Sequence, residues 1–458
     1  MPMDTLIRII PSFNQQTIPA SQTARLVYLL LEIQARDLAP AAPLPLNIGL
    51  VVDKSESMCI PMLTPEQFQE FARDASVGET IIDGIPVWQF TGLSRTAPAN
   101  APRTIDYVKQ ALGNALEHLS ADDEFSLTAF ARNARLLIPR QSGRNKQTLL
   151  QAISDLESVE LGNETYMGLG LSQSLEQVQQ GFTYNRINRI IALTDGFTFD
   201  EPFCRQLAGQ AAQAGIGIST IGLGSEFNEE LLISIADSSG GMAYFIRQPS
   251  ELSPVLAHEL SGIQDIVLRG LELRLRFMPG VQLRRIHRVR PVISDLSTLS
   301  APDASLDLSL GDLPRNGNLA MLFEIVAPPR ATGQYQFAHA VLDYTHPQTG
   351  STRQRIRQDI VIEYAETEAP FNPQVMNIVE KLSAFNLQTR ALQAVQNGDM
   401  ASATQKLQAA ITRLVNMGEN ELAQAVRREA ANLEQRGQMS PDGPKQLRYE
   451  MRNLTQRL

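Results

Sequence analysis

LNIGLVVDKSES, residues 46–57, decides how the rest of the chain is read. It opens as a nearly continuous apolar run and closes on Asp53, followed by Ser55 and Ser57. A run without polar alternation is the pattern of a strand buried on both faces, as in a parallel sheet. A second run of this kind, NRIIALTDG (188–196), also ends in an acid, Asp195.

The segments between and around these runs alternate in period. Helical spacing is present in 103–119, 146–158, 165–180, 204–215 and 228–240, and strand signals in 124–131, 134–140, 217–224 and 241–246. Strands alternating with helices predict a doubly wound, mostly parallel α/β sheet over 46–250. Ligands of such sheets bind at the carboxyl ends of the strands, where Asp53 and Asp195 stand. Residues 58–102 interrupt the alternation as an insertion, with a short helix expected over Pro65–Ala75. A hairpin is expected over Thr80–Phe90, turning at Asp83-Gly84. The insertion, which carries the only tryptophan, Trp88, reads as a packed decoration, with a partner-binding role as the alternative.

Outside this block the period changes. Residues 251–368 hold stretches such as LELRLRFMPG (271–280) and GQYQFAHAVLDYT (333–345), mostly of period two. They predict an antiparallel β sandwich. Residues 1–45 carry strand signals at Leu6–Ile10 and Leu26–Ile33. A pair of strands is rarely stable alone, so these are expected to join the sandwich, which places the α/β domain as an insertion within it. Two independent pieces are the alternative. Residues 369–458 show only helical stretches, punctuated by Asn397-Gly398-Asp399, Met417-Gly418 and Pro441. They read as a helical bundle packed on the rest.

Composition excludes several classes. The 458 residues are 43% hydrophobic and 19% charged, with a net charge of −9, which argues against a general grip on nucleic acid. The Arg284–Arg290 cluster reads as a solvated sheet face. Two cysteines, Cys59 and Cys204, rule out a disulfide scaffold and fit a reducing compartment; both read as inert core residues. No run approaches ~20 apolar residues and the N-terminus lacks a secretory pattern, so a cytoplasmic location without membrane contact is expected. No phosphate loop and no histidine-based triad is present.

The chemistry concentrates in three loops. Asp53, Ser55 and Ser57 follow the first buried strand; Thr165 lies in the loop before a helix; Asp195 ends the second buried strand. Three hydroxyls and two carboxylates form an all-oxygen set for a hard cation. The lack of His or Cys disfavours zinc. Neutral hydroxyl ligands leave the ion electrophilic, ready for one more anionic oxygen from a partner's Asp or Glu.

By these loops the chain resembles the von Willebrand factor A family, over about 200 of its residues, with the metal-ion-dependent adhesion site complete in type and order. The resemblance implies Mg²⁺, or Mn²⁺ or Ca²⁺, held directly by Ser55, Ser57 and Thr165. Asp53 and Asp195 would act mainly through water. It also implies an intracellular bacterial adaptor that captures an acidic side chain of a partner protein, such as a signalling kinase, phosphatase or ATPase. One departure is Glu56, where the family usually has Gly; it bears on affinity rather than fold. Lys54 reads as solvated. The alternatives are a scaffold with a vestigial site, and a metal-dependent hydrolase using Glu56, Glu164 or Asp200 as base. The chain is not expected to be an enzyme.

Overall fold

The computed structural model describes residues 7–35, 43–60, 76–82, 85–91, 101–297, 305–315, 317–346 and 353–456. The chain divides into two units, Pro43–Gln264 and a second built from Met1–Ala42 with Asp265–Leu458. The second therefore receives the first as an insertion in its sequence.

The discontinuous unit begins with β1 (Ile7–Phe13), β2 (Thr17–Pro19) and β3 (Arg25–Ala35). The inserted unit opens with β4 (Leu46–Asp53) and the short α1 (Glu56–Cys59). In the 58–102 insertion, β5 (Ser76–Ile82) and β6 (Ile85–Thr91) pair antiparallel with Ile82 opposite Ile85, which is the expected hairpin. The expected helix over 65–75, the turn at 83–84 and the side chain of Trp88 lie outside the described residues.

Then follow α2 (Thr104–Glu117), β7 (Glu124–Phe130), β8 (Ala134–Ser142), α3 (Lys146–Asp155), α4 (Met167–Gln180) and β9 (Ile187–Thr194). The unit closes with α5 (Glu201–Gln213), β10 (Gly217–Leu223), α6 (Glu229–Ser239), β11 (Ala243–Ile246) and α7 (Leu252–Gln264). The sheet order is β11-β10-β9-β4-β7-β8, parallel except for the edge strand β8. Every residue of β4 and β9 is buried, which explains their mostly apolar runs. The chain order reverses between β4 and β9, so the crevice at their carboxyl ends is the topological switch point.

Helix α4 lies close against this sheet because small residues line the contact. A Cβ on Gly49 of β4 would sit 2.2 Å from Ser174 Oγ, and one on Gly170 of α4 2.8 Å from Val51 Cγ1. The glycines of the Gly168-Leu169-Gly170 string thus serve close packing. In the turn that precedes β7, Asp123 is turned inward. This side chain is buried and accepts the amides of Leu46 at 2.7 Å and Ser120 at 2.6 Å, tying the start of β4 to that turn.

In the discontinuous unit the chain resumes with β12 (Ile266–Phe277), β13 (Gln282–Arg290), β14 (Ser294–Asp295), β15 (Ser305–Pro314), β16 (Asn318–Ala327), β17 (Gly333–Thr345) and β18 (Arg353–Ala365). One sheet runs β1-β3-β16-β13-β14 and the other β15-β12-β17-β18-β2. The N-terminal strands are recruited: β3 pairs with β16 from Arg25 to Gln34. All pairings are antiparallel except β2 with β18. Leu29, Leu31, Met321 and Phe323 of the first sheet share a core with Leu273, Leu275, Leu342 and Ile360 of the second.

The first sheet is covered on its other face too. Helices α8 (Pro373–Gln396), α9 (Met400–Asn416), α10 (Asn420–Arg436) and α11 (Gly443–Arg452) pack onto Leu30, Val289, Ile293, Ala320 and Leu322. Asn372 caps α8, accepting the Gln374 amide at 3.0 Å, with Pro373 at its first position. Gly398 (φ +77°) and Gly418 (φ +80°) allow the turns that end α8 and α9. The solvated reading of the basic cluster holds at Arg284 and Arg285, which are exposed, and is overturned over His287–Arg290. His287 is buried beneath this layer opposite Leu322, Arg288 is buried on the other face opposite Met321 of the sandwich core, and Arg290 pairs with the buried Glu32 at 3.0 Å. A strand's alternation says which residues share a face, but not whether another layer covers that face. The fold class expected from the sequence, an α/β domain inserted in a β sandwich with a helical end, is the one observed.

Candidate metal centre

Register alone brings the first two acids together. In the parallel pair β4–β9, Val52 lies opposite Leu193, so Asp53 and Thr194 end their strands side by side. Thr194 donates its hydroxyl to Asp53 Oδ2 at 2.5 Å, and Asp53 Oδ1 accepts the Ser55 amide at 2.8 Å. Asp53 is fully buried, and both its oxygens are thus oriented by hydrogen bonds. The Lys54 amide donates to Phe130 O at 2.7 Å and fixes the start of the loop on β7.

The loop then turns into α1. Ser55 Oγ and Ser57 Oγ are 3.1 Å apart, and Ser57 donates to Asp195 Oδ1 at 2.6 Å. Asp53, Ser55, Ser57 and Asp195 therefore form one hydrogen-bonded cluster. Met58 points inward and is buried, while Glu56 points out and is exposed. Lys54 is not free in solvent: its Nζ lies 3.1 Å from Cys59 Sγ. Cys59 is half-buried, so only Cys204 is a core cysteine; burial and the nearby Asp200 push the Cys204 thiol well above its ordinary value.

Thr165 arrives from the third loop. Its amide-linked neighbour Tyr166 donates to Ala131 O at 3.0 Å, and Thr165 O accepts the Phe199 amide at 3.0 Å. The Thr198 hydroxyl accepts the Met167 amide at 2.9 Å and lies 3.1 Å from Thr165 O and 2.6 Å from Asp200 Oδ1. These bonds hold the 165–167 and 195–200 turns together, and a Cβ on Gly196 would sit 3.5 Å from Thr165 Oγ1. Thr165 is 1% exposed, yet Oγ1 has no hydrogen-bond partner among the described residues. An orphaned buried hydroxyl is costly and calls for a missing partner. An oxygen-seeking cation beside Ser55, Ser57 and Asp195 would supply it, so the donor set fits a hard metal ion. Among the described residues no group of three His, Cys, Asp or Glu side chains could hold a metal, so any cation here depends on the hydroxyls.

Sequence reasoning missed Thr194 and Thr198. Both flank Asp195 in the string Leu193-Thr194-Asp195-Gly196-Phe197-Thr198. Hydroxyls bracketing a strand-end acid were the available signal. Of the candidate bases, Asp200 stands at the N-terminal end of α5, and Glu164 is ion-paired with Arg132 at 3.4 Å.

Residues 99–258 match the model of the von Willebrand factor type A domain, and the α/β fold of the inserted unit agrees with it. Residues 373–457 match the "Sll0103-like, C-terminal alpha-helical domain". Protein sll0103 of Synechocystis is 25% identical over 315 residues, 67% of this chain and 73% of that one. YfbK of Escherichia coli is 25% identical over 224 residues, covering 48% of this chain but 38% of YfbK. Among solved structures, the fold is similar to "von Willebrand factor type A from Catenulispora acidiphila". That likeness has a TM-score of 0.75 and 16% identity, covering 99% of this chain and 98% of that one. The ArnB paralog VWA2 of Sulfolobus acidocaldarius has a TM-score of 0.53 at 14% identity, covering 98% of this chain and 99% of that one.

Proposed function

We propose that Ser55, Ser57 and Thr165 hold a Mg²⁺ ion directly, with Asp53 and Asp195 acting through water, and that the ion captures an acidic side chain of a partner protein. The observation that carries this is the buried, unpartnered hydroxyl of Thr165 beside the Asp195 turn. A bound cation supplies Lewis acidity, which here means affinity for one more carboxylate oxygen. The chain's own part is positional. Thr194 and the Ser55 amide aim Asp53, Asp195 orients Ser57, and the Thr198 bonds bring Thr165 to the same edge.

The chain acts in this reading as an adaptor rather than an enzyme. Of the bases that hydrolysis would need, Glu56 points outward and Glu164 is held by Arg132. The free Cys59 and Cys204 fit a reducing cytoplasm, and among the described residues no helix is long and apolar enough to cross a membrane. A bacterial signalling or assembly role, with a kinase, phosphatase or ATPase as partner, follows from the family resemblance.

Calorimetric titration with Mg²⁺ and Mn²⁺ tests the reading. Saturable binding is expected for the native protein and its loss for Asp53→Ala and Thr165→Val. The second variant removes an unpaired buried hydroxyl, so its thermal stability stays level or rises while metal affinity falls. A native protein that binds neither ion would leave the vestigial scaffold as the better reading.

A further inference from the structure

The edge that carries the metal loops is also where the inserted unit exposes its apolar side chains. Among the described residues of that unit, the exposed large hydrophobics are Ile60, Leu150, Leu169, Tyr184, Phe197 and Phe199. Four of the six lie on this edge. Ile60 follows α1, Leu169 is in the first turn of α4, and Phe197 and Phe199 follow Asp195. Phe199 is 53% exposed, although its backbone is tied to Thr165 O, and its ring packs at 5.6 Å on that of Tyr166. Holding aromatic rings outward beside a polar cluster opposes the hydrophobic effect. A concentration of apolar side chains at one place marks an interaction surface.

Resting on the metal reading above, we infer that the captured acid belongs to a peptide segment of a partner protein that carries a bulky apolar residue, Phe or Leu, within a residue or two of its Asp or Glu. The carboxylate answers the cation's charge, and the apolar side chain covers Phe199 and Phe197 in the same step. Neither element suffices alone. One exposed carboxylate resembles any other, so the rings supply the selectivity that the ion lacks. The opposite flank of Thr165 in the chain is charged, with Glu164 paired to Arg132, so the apolar residue has one favoured side.

The test uses the full chain and fluorescent peptides that place a single Asp between Phe and Leu, or between Ser and Gly, read by anisotropy in Mg²⁺ and in chelator. The apolar-flanked peptides are expected to bind about tenfold or more tightly, matching the burial of roughly one ring face. Phe199→Ser should abolish that preference while leaving the Mg²⁺ titration within about twofold of the native value. Equal binding of both peptide sets overturns the inference and leaves metal capture standing. So does a preference that survives Phe199→Ser. Metal binding with no peptide binding also overturns it, since the edge is then filled by the chain's own residues. Failure of the metal titration itself overturns both readings.

Discussion

Thr194 donates its hydroxyl to Oδ2 of Asp53 at 2.5 Å, from the neighbouring strand of the same sheet. The bond leaves Asp53 with a fixed orientation before any ion arrives, and outer partners of this kind commonly set metal affinity. Thr194→Val keeps the β-branched shape on a buried strand end and removes the donor. We expect Mg²⁺ affinity to fall about tenfold or more, read by titration. Unchanged affinity would show that Asp53 is oriented without Thr194.

Gly49 is the second lever on the site, acting through packing. A methyl group there meets Ser174 Oγ at 2.2 Å and Val178 Cγ2 at 2.9 Å, so α4 must shift away from β4. Thr165 stands two residues before that helix. Gly49→Ala should cost about 2 kcal/mol in urea unfolding and weaken metal binding as well. A stability loss with metal affinity intact would uncouple the helix from the site.

Glu259 of α7 is buried and accepts two hydroxyls, Ser219 at 2.5 Å and Tyr244 at 2.6 Å. Burial first, and then the Glu259 charge, raise the Tyr244 phenol above its ordinary value, so it remains a donor throughout the neutral range. Tyr244→Phe leaves the carboxylate one donor short inside the unit. A loss of about 2 kcal/mol is expected, and no measurable loss would mean that water replaces the phenol.

His287 sits under the helical layer, with Asp295 at 3.9 Å and Asn386 of α8 beside it. Burial holds its pKa below the ordinary histidine value, and the pull of Asp295 in the other direction only partly offsets this. The unfolded chain therefore takes up the proton first as pH falls. Its contribution to stability is present above about pH 6.5 and is lost as pH drops through the lower, folded value. His287→Gln should flatten the decline in stability between neutral and mildly acidic pH. An unaltered pH profile would place the acid sensitivity elsewhere.

What the sequence settled by itself was local. Nearly continuous apolar runs over 46–52 and 190–193 announced strands covered on both faces, because each residue's solvent exclusion is written in its own chemistry. The acids that end those runs, and the hydroxyls of Ser55, Ser57 and Thr165, were legible as an oxygen-rich set on one sheet edge for the same reason. Helix ends at Asn397-Gly398 and Met417-Gly418 could be read because a left-handed turn selects glycine. What only the tertiary structure decided was which groups meet. Thr194 reaches Asp53 through strand register, and Thr198 joins two turns. Asp123 is drawn inward by the amide of Leu46. His287 looks solvated on its own strand and is buried by helices that begin more than 80 residues later, while Arg288 is buried on the opposite face, in register with Met321 of the sandwich core. Hydrogen bonds and layer packing act across such separations, and no periodicity along the chain records them.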